Sequence, residues 1–174
     1  QRIVPTPGAS RRPRVAFRPG KVCVVWQEIA EGSNADIYLV RSADNGATWR
    51  PAQRLSQNAG RSVGADIEFS MQNSLVYAAW QDDTLSPGTW TVMYRRSADN
   101  GATWSGIRSL SSPWPQEGWS ACQPSLAAFN DKVLVAWSDV TQGRSVINTA
   151  FSQDCGDRWL YQRVSDLEQS SVSD

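Results

Sequence analysis

The chain has 174 residues with 17 basic and 17 acidic side chains, so its formal net charge is zero. A neutral chain offers no electrostatic reason to bind nucleic acid or an anionic membrane surface. It contains no histidine, which excludes Ser-His-Asp and Cys-His nucleophile systems, histidine acid-base catalysis and histidine-containing zinc sites.

The composition predicts a sizeable hydrophobic core. Hydrophobic residues make up 40% of the sequence and include nine tryptophans, which suffices for one domain of this length. No apolar run approaches the roughly 20 residues of a membrane span. The cysteines Cys23, Cys122 and Cys155 lack metal-binding spacing, so we expect free thiols or at most one disulfide, and neither a metal nor another cofactor.

In chain order, the first structural unit covers about residues 10–57 and contains four segments that predict short β-strands. The turn between the first two segments contains Pro19 and Gly20, so these segments are predicted to form a hairpin. The four segments are residues 14–17, 22–26, 36–41 and 53–56.

The segment at 42–49 reads S-A-D-N-G-A-T-W and predicts a tight turn between the third and fourth strands. Asn45 and Gly46 suit the positive-φ positions of such a turn. The carboxylate of Asp44 can accept backbone N–H bonds inside it, and nearby hydroxyls can tie its arms together. Trp49 then anchors the turn by burying a large ring.

Two further units follow at about residues 64–112 and 122–168, and the eight-residue segment recurs after 55 residues each time. The copy at 97–104 is identical to the first, whereas the copy at 152–159 is degenerate. This fixed period indicates that one supersecondary unit has been duplicated and stacked. Four antiparallel strands per unit are typical of a β-propeller blade, so we predict an all-β fold with three blades.

The strands of the later units follow the same pattern. Each predicted second strand ends in tryptophan and is apolar on both alternating faces, which favours burial on both sides. The first strands of the second and third units are predicted at residues 68–71 and 125–129.

The recurring segment resembles the Asp-box, or BNR repeat, of sialidases and other β-propellers, whose form S-x-D-x-G-x-T-W the first two copies match at every fixed position. In that family the box is a structural element on the face away from the active site. The resemblance therefore assigns these side chains to folding rather than chemistry. They are Ser42, Asp44, Gly46, Thr48, Trp49, Ser97, Asp99, Gly101, Thr103, Trp104, Ser152, Asp154, Gly156 and Trp159.

Three blades are fewer than the roughly four to eight with which propellers close, so two blade faces need a cover. Residues 1–9 resemble the end of a preceding fourth strand. Either the chain is a segment of a longer propeller, or two copies form a homodimer with a six-bladed ring, the blade number of sialidase catalytic domains. The resemblance also implies a secreted or periplasmic location.

An acid follows two positions after the tryptophan of each second strand, at Glu28, Asp82 and Asp139. Propeller geometry places these strand ends on the face opposite the boxes, where ligands usually bind. The acids are therefore candidates for ligand binding. Alternatively, because an acid recurs in every unit, it caps or bridges neighbouring blades.

The segments between units add further candidates on the same face. Arg61 precedes the second unit, and Trp114, Glu117 and Trp119 precede the third. Aromatic rings beside carboxylates can stack on the apolar face of a sugar and bind its hydroxyls. The same rings could instead seal the gap between blades or subunits.

The resemblance also implies where a sialidase would carry its chemistry. In that family three arginines hold the sugar carboxylate, a tyrosine paired with a glutamate attacks, and an aspartate is the acid-base. The nearest counterparts of the first arginine are Arg11 and Arg12, although Ser10 stands where the family motif has phenylalanine. The corresponding positions of the other units are read as Ala65 and Cys122, which are not arginine.

No tyrosine–glutamate pair is identified, because Tyr38, Tyr77 and Tyr94 lie in predicted strands at ordinary packing positions. Tyr161 belongs to an outer strand far from the expected axis. The catalytic residues therefore stay unassigned. The resemblance favours a sialidase-like propeller that recognises a glycan. The alternatives are an exo-sialidase or related glycoside hydrolase with an incomplete catalytic set here, and a structural or protein-interaction propeller.

Overall fold

The computed structural model describes residues 8–30, 34–111, 119–141 and 144–165. The regular structure within these ranges is β-strand, arranged as three sheets of four antiparallel strands. The predicted all-β fold of propeller blades is confirmed.

Each sheet contains four consecutive strands in sequence order, so each is a simple meander. Blade 1 consists of β1 (Gly8–Arg18), β2 (Lys21–Ala30), β3 (Ala35–Ser42) and β4 (Gln53–Arg54). Blade 2 consists of β5 (Ser62–Phe69), β6 (Val76–Asp82), β7 (Thr91–Ser97) and β8 (Arg108–Ser109). Blade 3 consists of β9 (Ser120–Phe129), β10 (Lys132–Thr141), β11 (Arg144–Ser152) and β12 (Leu160–Arg163).

The first strand of every blade begins earlier than the sequence predicts, and in blade 2 the prediction was misplaced. Strand β5 ends at Phe69, whereas Ser70 and Met71 belong to the turn that leads to β6. The apolar pattern was broken by a β-bulge in each first strand, seen as a register shift after Arg11, Val63 and Cys122. An inserted residue reverses the alternation of faces, so a period-2 pattern cannot be followed through it.

The blades pack face to face, and two hydrophobic cores lie between them. The first core joins Cys23, Val25, Ile37 and Leu39 of blade 1 to residues such as Trp80 of blade 2. The second core joins the opposite face of blade 2 to blade 3. We call the face of a blade toward the following blade its rear face and the other its front face.

Burial of the second strands depends on these neighbours. Every residue of β6 is buried, as predicted, because blade 2 has a neighbour on both faces. In β10 the prediction of burial on both sides was wrong, because Leu134 and Val140 are exposed. These residues lie on the face of blade 3 that points away from blade 2.

The first strands β1, β5 and β9 lie next to one another, so they are the inner strands of the blades. The turn that ends β1 lies beside the first Asp-box, since the backbone N–H of Gly20 donates to Oδ1 of Asn45 over 2.7 Å. The bulge at Arg12 comes six residues before Arg18, roughly 20 Å along an extended strand. The bulges therefore lie well away from the boxes.

Candidate ligand-binding site

The Asp-boxes form hydrogen-bonded turns of one pattern, complete in the first two blades and lacking one bond in the third. In the second box Oγ of Ser97 donates to Asp99 and accepts the backbone N–H of Gly101, and both nitrogen and hydroxyl of Thr103 donate to Asp99. Asn100 and its counterparts Asn45 and Cys155 have positive φ. These contacts are internal to each turn, which fits the structural role that the resemblance implies.

The third box lacks one of these bonds. Arg158 occupies the threonine position, and only its backbone N–H donates to Asp154, over 2.8 Å. The hydroxyl contact that Thr48 and Thr103 make in the other boxes is replaced by a guanidinium group on an exposed side chain.

The acid after each second-strand tryptophan is buried and accepts a bond from that tryptophan. The indole N–H donates over 2.9 Å to Glu28, 3.3 Å to Asp82 and 3.1 Å to Asp139. A serine of the neighbouring inner strand also donates in the first two blades, from Ser10 and Ser62. These bonds join each acid to its own blade, so the geometry supports a structural role within the blade rather than contact with a ligand.

The pKa values of two of these acids shift in opposite directions. Burial acts to raise both, but hydrogen bonds from Ser62, Thr84 and Asn58 outweigh it and lower the pKa of Asp82. In blade 3 burial prevails over the bonds from Asn148 and Trp137, so the pKa of Asp139 is raised. In blade 3 the residue that pairs opposite the acid is Ala121, which has no hydroxyl to donate to Asp139 and so cannot lower its pKa.

The three bulges hold residues in the left-handed region at equivalent places. Arg12 has φ 51°, Gly64 has φ 62° and Gln123 has φ 54°. Only glycine adopts this conformation without strain, so Arg12 and Gln123 are held there by the surrounding sheet. The bulges turn the backbone at the point where the inner strands converge.

A cavity of about 540 Å³ opens at this convergence. All three inner strands line it, together with one residue of β6. The lining residues are Arg12, Pro13, Arg14, Gly64, Ala65, Asp66, Gln81, Gln123, Pro124 and Ser125. Polar and charged side chains thus surround small apolar surfaces of proline and alanine.

Two side chains of blade 2 fix the cavity wall to blade 3. The buried Gln81 accepts the backbone N–H of Gln123 at Oε1 over 3.0 Å. Asp66 accepts the N–H of Leu126 over 2.8 Å and that of Ile67 over 3.0 Å. Burial, followed by the nearby charge of Asp66, raises the pKa of Glu68.

Among the residues nominated from the sequence, Arg12 lines the cavity. Arg11 is its exposed neighbour and pairs opposite Gln27 in the strand ladder. Its equivalent in blade 2 is Val63, opposite Gln81, so the earlier assignment to Ala65 was wrong. The bulge again explains the two-residue error, whereas Cys122 is the correct equivalent in blade 3.

The other nominated residues of the described ranges lie outside this cavity. Arg61 stacks its guanidinium over Trp90, 4.9 Å from the ring centroid, beside a second cavity of about 300 Å³. Trp119 is half-buried, and the guanidinium of Arg163 lies 5.9 Å from its ring centroid. Trp114 and Glu117 fall outside the described residues.

The sequence did not indicate a site role for Arg14, Gln123, Gln81 and Asp66. A signal for the bulge was present, since Arg12-Pro13, Gly64-Ala65 and Gln123-Pro124 occupy one position of the repeat. Proline has no N–H to donate to a strand ladder and is tolerated at bulges. Two prolines and a glycine at this place therefore indicated an interruption of the inner strand.

The tyrosines of blade 2 are packed rather than poised for reaction. Tyr77 and Tyr94 stack in the core toward blade 3, and Tyr94 meets Trp159 edge to face at 5.0 Å. Burial raises the pKa of both phenols. The cysteines are unbridged, and burial raises the pKa of Cys23 to about 12.

Within the described ranges, no group of three potential metal ligands is present. The same ranges contain no helix of the length and apolarity that crossing a bilayer requires.

Antiparallel four-stranded blades, each closed by an Asp-box turn, define an Asp-box β-propeller. The model of the BNR repeat-like domain family matches residues 17–173, and the chain belongs to this family. None of the curated proteins matches the chain in sequence.

Several solved structures share the fold. A Trypanosoma rangeli sialidase, in a covalent complex with 2,3-difluorosialic acid, is 17% identical with a TM-score of 0.65 and matches 90% of this chain but 31% of its own. A Hadza microbial sialidase is 19% identical with a TM-score of 0.64, over 88% of this chain and 37% of its own.

The similarity extends to another glycosidase. A Fusarium graminearum GH93 α-L-arabinofuranosidase, in complex with arabinobiose, is 16% identical with a TM-score of 0.63, over 94% of this chain and 52% of its own. The chain thus spans between about a third and a half of these structures.

Proposed function

We propose that this chain is a sialidase-like propeller unit that recognises a glycan in the central cavity and lacks a complete catalytic set of its own. The supporting observation is the convergence of the three bulges, which brings Arg12, Arg14 and Gln123 around Pro13 and Pro124. A pyranose presents an apolar face and a rim of hydroxyls, which suits such a lining.

The described lining contains little that could hydrolyse a glycosidic bond. Asp66 is its one carboxylate, and both of its oxygens accept backbone N–H bonds. Most glycosidases need two carboxyl groups, and sialidases use a tyrosine nucleophile instead. The buried Tyr77 and Tyr94 lie between blades 2 and 3 rather than in the cavity lining.

Binding to a glycan array tests the proposal. We expect binding without turnover, and Arg12→Ala and Gln123→Ala should each weaken it roughly tenfold, the loss of about 1.4 kcal/mol from one good polar contact. Arg50→Ala is the matched control, because this exposed arginine follows the first Asp-box away from the cavity. Equal binding by Arg12→Ala and Arg50→Ala would contradict the proposed site.

A glycoside hydrolase is the second candidate, supported by the sialidases and the arabinofuranosidase with the same fold. The residues missing here would then lie in further blades. Hydrolysis of a fluorogenic sialoside or arabinofuranoside that is lost in Arg12→Ala would favour this candidate. If the chain shows neither binding nor turnover, a structural or protein-interaction propeller is favoured.

A further inference from the structure

Two outer faces of the molecule expose apolar positions that are buried elsewhere in the repeat. The first is the front face of blade 1, which carries Val15 and Phe17. The second is the rear face of blade 3, which carries Leu134, Ile147 and Val164. All five side chains are exposed.

Strand register identifies the equivalents of the front-face residues in blade 2. Phe17 pairs with Val22 one step before the turn, as Phe69 pairs with Val76. Phe17 is 63% exposed, but Phe69 is 3% exposed because the rear face of blade 1 covers it. Val15 corresponds in the same way to the buried Ile67.

The rear face of blade 3 shows the same contrast. The N–H of Val164 donates to Ile147, just as Leu55 donates to Ile37 and Leu110 to Val92. Val164 is 62% exposed, whereas Leu55 and Leu110 are 1% and 0% exposed. The repeat therefore places large apolar side chains on both outer faces as if another blade followed.

The Asp-box glycines show how closely one blade packs on the box of the next. A side chain on Gly101 would meet Cys23 and Arg41 of the preceding blade, and one on Gly156 would meet Tyr94. A side chain on Gly46 would meet only Trp49 of its own box. Among the described residues, no preceding blade lies against the first box.

We propose that a second copy of this chain covers both faces and that the two copies close a six-bladed ring. The rear face of blade 3 in each copy packs on the front face of blade 1 in the other, so a twofold axis generates two identical joints. Six blades fall within the range of closed propellers, whereas three do not. The chain also aligns with 52% of the arabinofuranosidase, so two copies match the length of one such chain.

The two faces are chemically suited to each other. At the internal joint Arg96 of blade 2 pairs with Asp157 in the next box over 2.7 Å. Blade 3 has Phe151 at the position of Arg96, and the first box has Ala47 at the position of Asp157. The proposed joint therefore has neither the arginine nor the aspartate of this ion pair, so neither charge is left there without its partner.

The ring would also complete the central cavity. Inner strand β1 lies at the open side of the three-blade unit, and both Arg12 and Arg14 come from it. In the closed ring these arginines from both copies surround one channel. This assembly does not depend on what the cavity binds, because it rests on the outer faces alone.

Light scattering of the 174-residue chain over a dilution series tests the proposal. We expect a mass twice the 19.2 kDa of one chain. Phe17→Asp on the front face and Ile147→Lys on the rear face should each give a monomer that keeps its β-sheet circular dichroism, because both positions are exposed within one copy. Met71→Lys is the control, since this exposed residue lies in a turn of blade 2 and should leave the dimer intact.

Mixing the two monomeric variants gives the sharpest test. In a mixed pair one joint carries both substitutions and the other joint is wild type, whereas a pair of identical variants has a substitution at each joint. A 1:1 mixture of Phe17→Asp and Ile147→Lys should therefore recover the dimeric mass, which neither variant shows alone. A folded wild-type monomer at every concentration, an open polymer, or a dimer that survives both substitutions would overturn the proposal.

Discussion

A single aspartate organises each Asp-box. In the first box Asp44 accepts bonds from the hydroxyls of Ser42 and Thr48 and from the backbone N–H of Thr48, with lengths between 2.5 and 2.8 Å. Only the ionised carboxylate accepts all three bonds at both oxygens. These bonds hold the pKa of Asp44 at about 2.

Acid should weaken the fold through these boxes. Bonds from Thr103 and Ser97 likewise lower the pKa of Asp99 to about 2, although burial acts against them. A carboxyl with a lowered folded-state pKa stabilises the fold above its unfolded value of about 3.9, and this contribution is lost as the pH falls through the folded-state pKa. The free energy of unfolding should therefore decrease between about pH 4 and pH 2.

Urea titrations at a series of pH values check this prediction. The double variant Asp44→Asn, Asp99→Asn should show a shallower loss of stability over the same pH interval. The raised pKa values of Asp139 and Glu68 make acid increase the stability of both proteins, which is opposite to the effect of the boxes. Because this contribution is the same in the wild type and the double variant, the difference between the two stability profiles reports on the boxes alone. Parallel profiles would show that the boxes do not titrate in this range.

The inner strands depend on their bulges. In β5 the bulge is made by Gly64, where the backbone has φ 62° and a Cβ would lie 3.2 Å from Oε1 of Gln81. That oxygen accepts the N–H of Gln123 in blade 3. The glycine therefore serves both the backbone conformation and the contact between blades 2 and 3.

Gly64→Ala should destabilise the protein by about 1–3 kcal/mol, through backbone strain and displacement of Gln81. Gly88→Ala is the control for strain alone, since Gly88 has φ 82° and nothing within 4 Å of its added Cβ. Chemical denaturation should rank Gly64→Ala below Gly88→Ala in stability. Equal losses would mean that the contact with Gln81 adds nothing to the strain.

Contacts between blades hold the molecule together as one unit. The buried Arg95 of blade 2 donates to the carbonyl of Leu55 in blade 1 over 2.9 Å and to Ser105 and Trp104 in its own blade. Burial lowers the pKa of this guanidinium. One side chain thus satisfies three backbone acceptors around the first joint.

Replacing Arg95 by methionine should cost about 2–4 kcal/mol, because buried carbonyls lose charged donors. Arg54→Met is the matched control: the exposed Arg54 forms an ion pair with the half-buried Asp36 at 2.7 Å, and ion pairs at the surface contribute roughly 0–1 kcal/mol. Urea denaturation measures both losses. Similar values for the two variants would show that Arg95 contributes no more than a surface charge.

The 55-residue period, the four strands per unit and the Asp-box turns could be predicted because they depend on neighbours close in the chain. The hydrogen bonds among Ser97, Asp99 and Thr103 lie within one turn, so the spacing of these residues in the sequence is enough to predict the turn. The strand starts were less predictable, since the bulges at Arg12, Gly64 and Gln123 reverse the side-chain alternation.

The cavity and the outer faces were decided by tertiary structure. Gln81 meets Gln123 across 42 residues of chain, and Asp66 meets Leu126 across 60, so no local pattern reveals either contact. The acids after the second-strand tryptophans were candidates for ligand binding in the sequence, yet packing buries them against indole N–H groups. Local turn chemistry builds each blade, whereas the way one blade lies on the next determines which side chains line the cavity and which stay exposed on the outer faces.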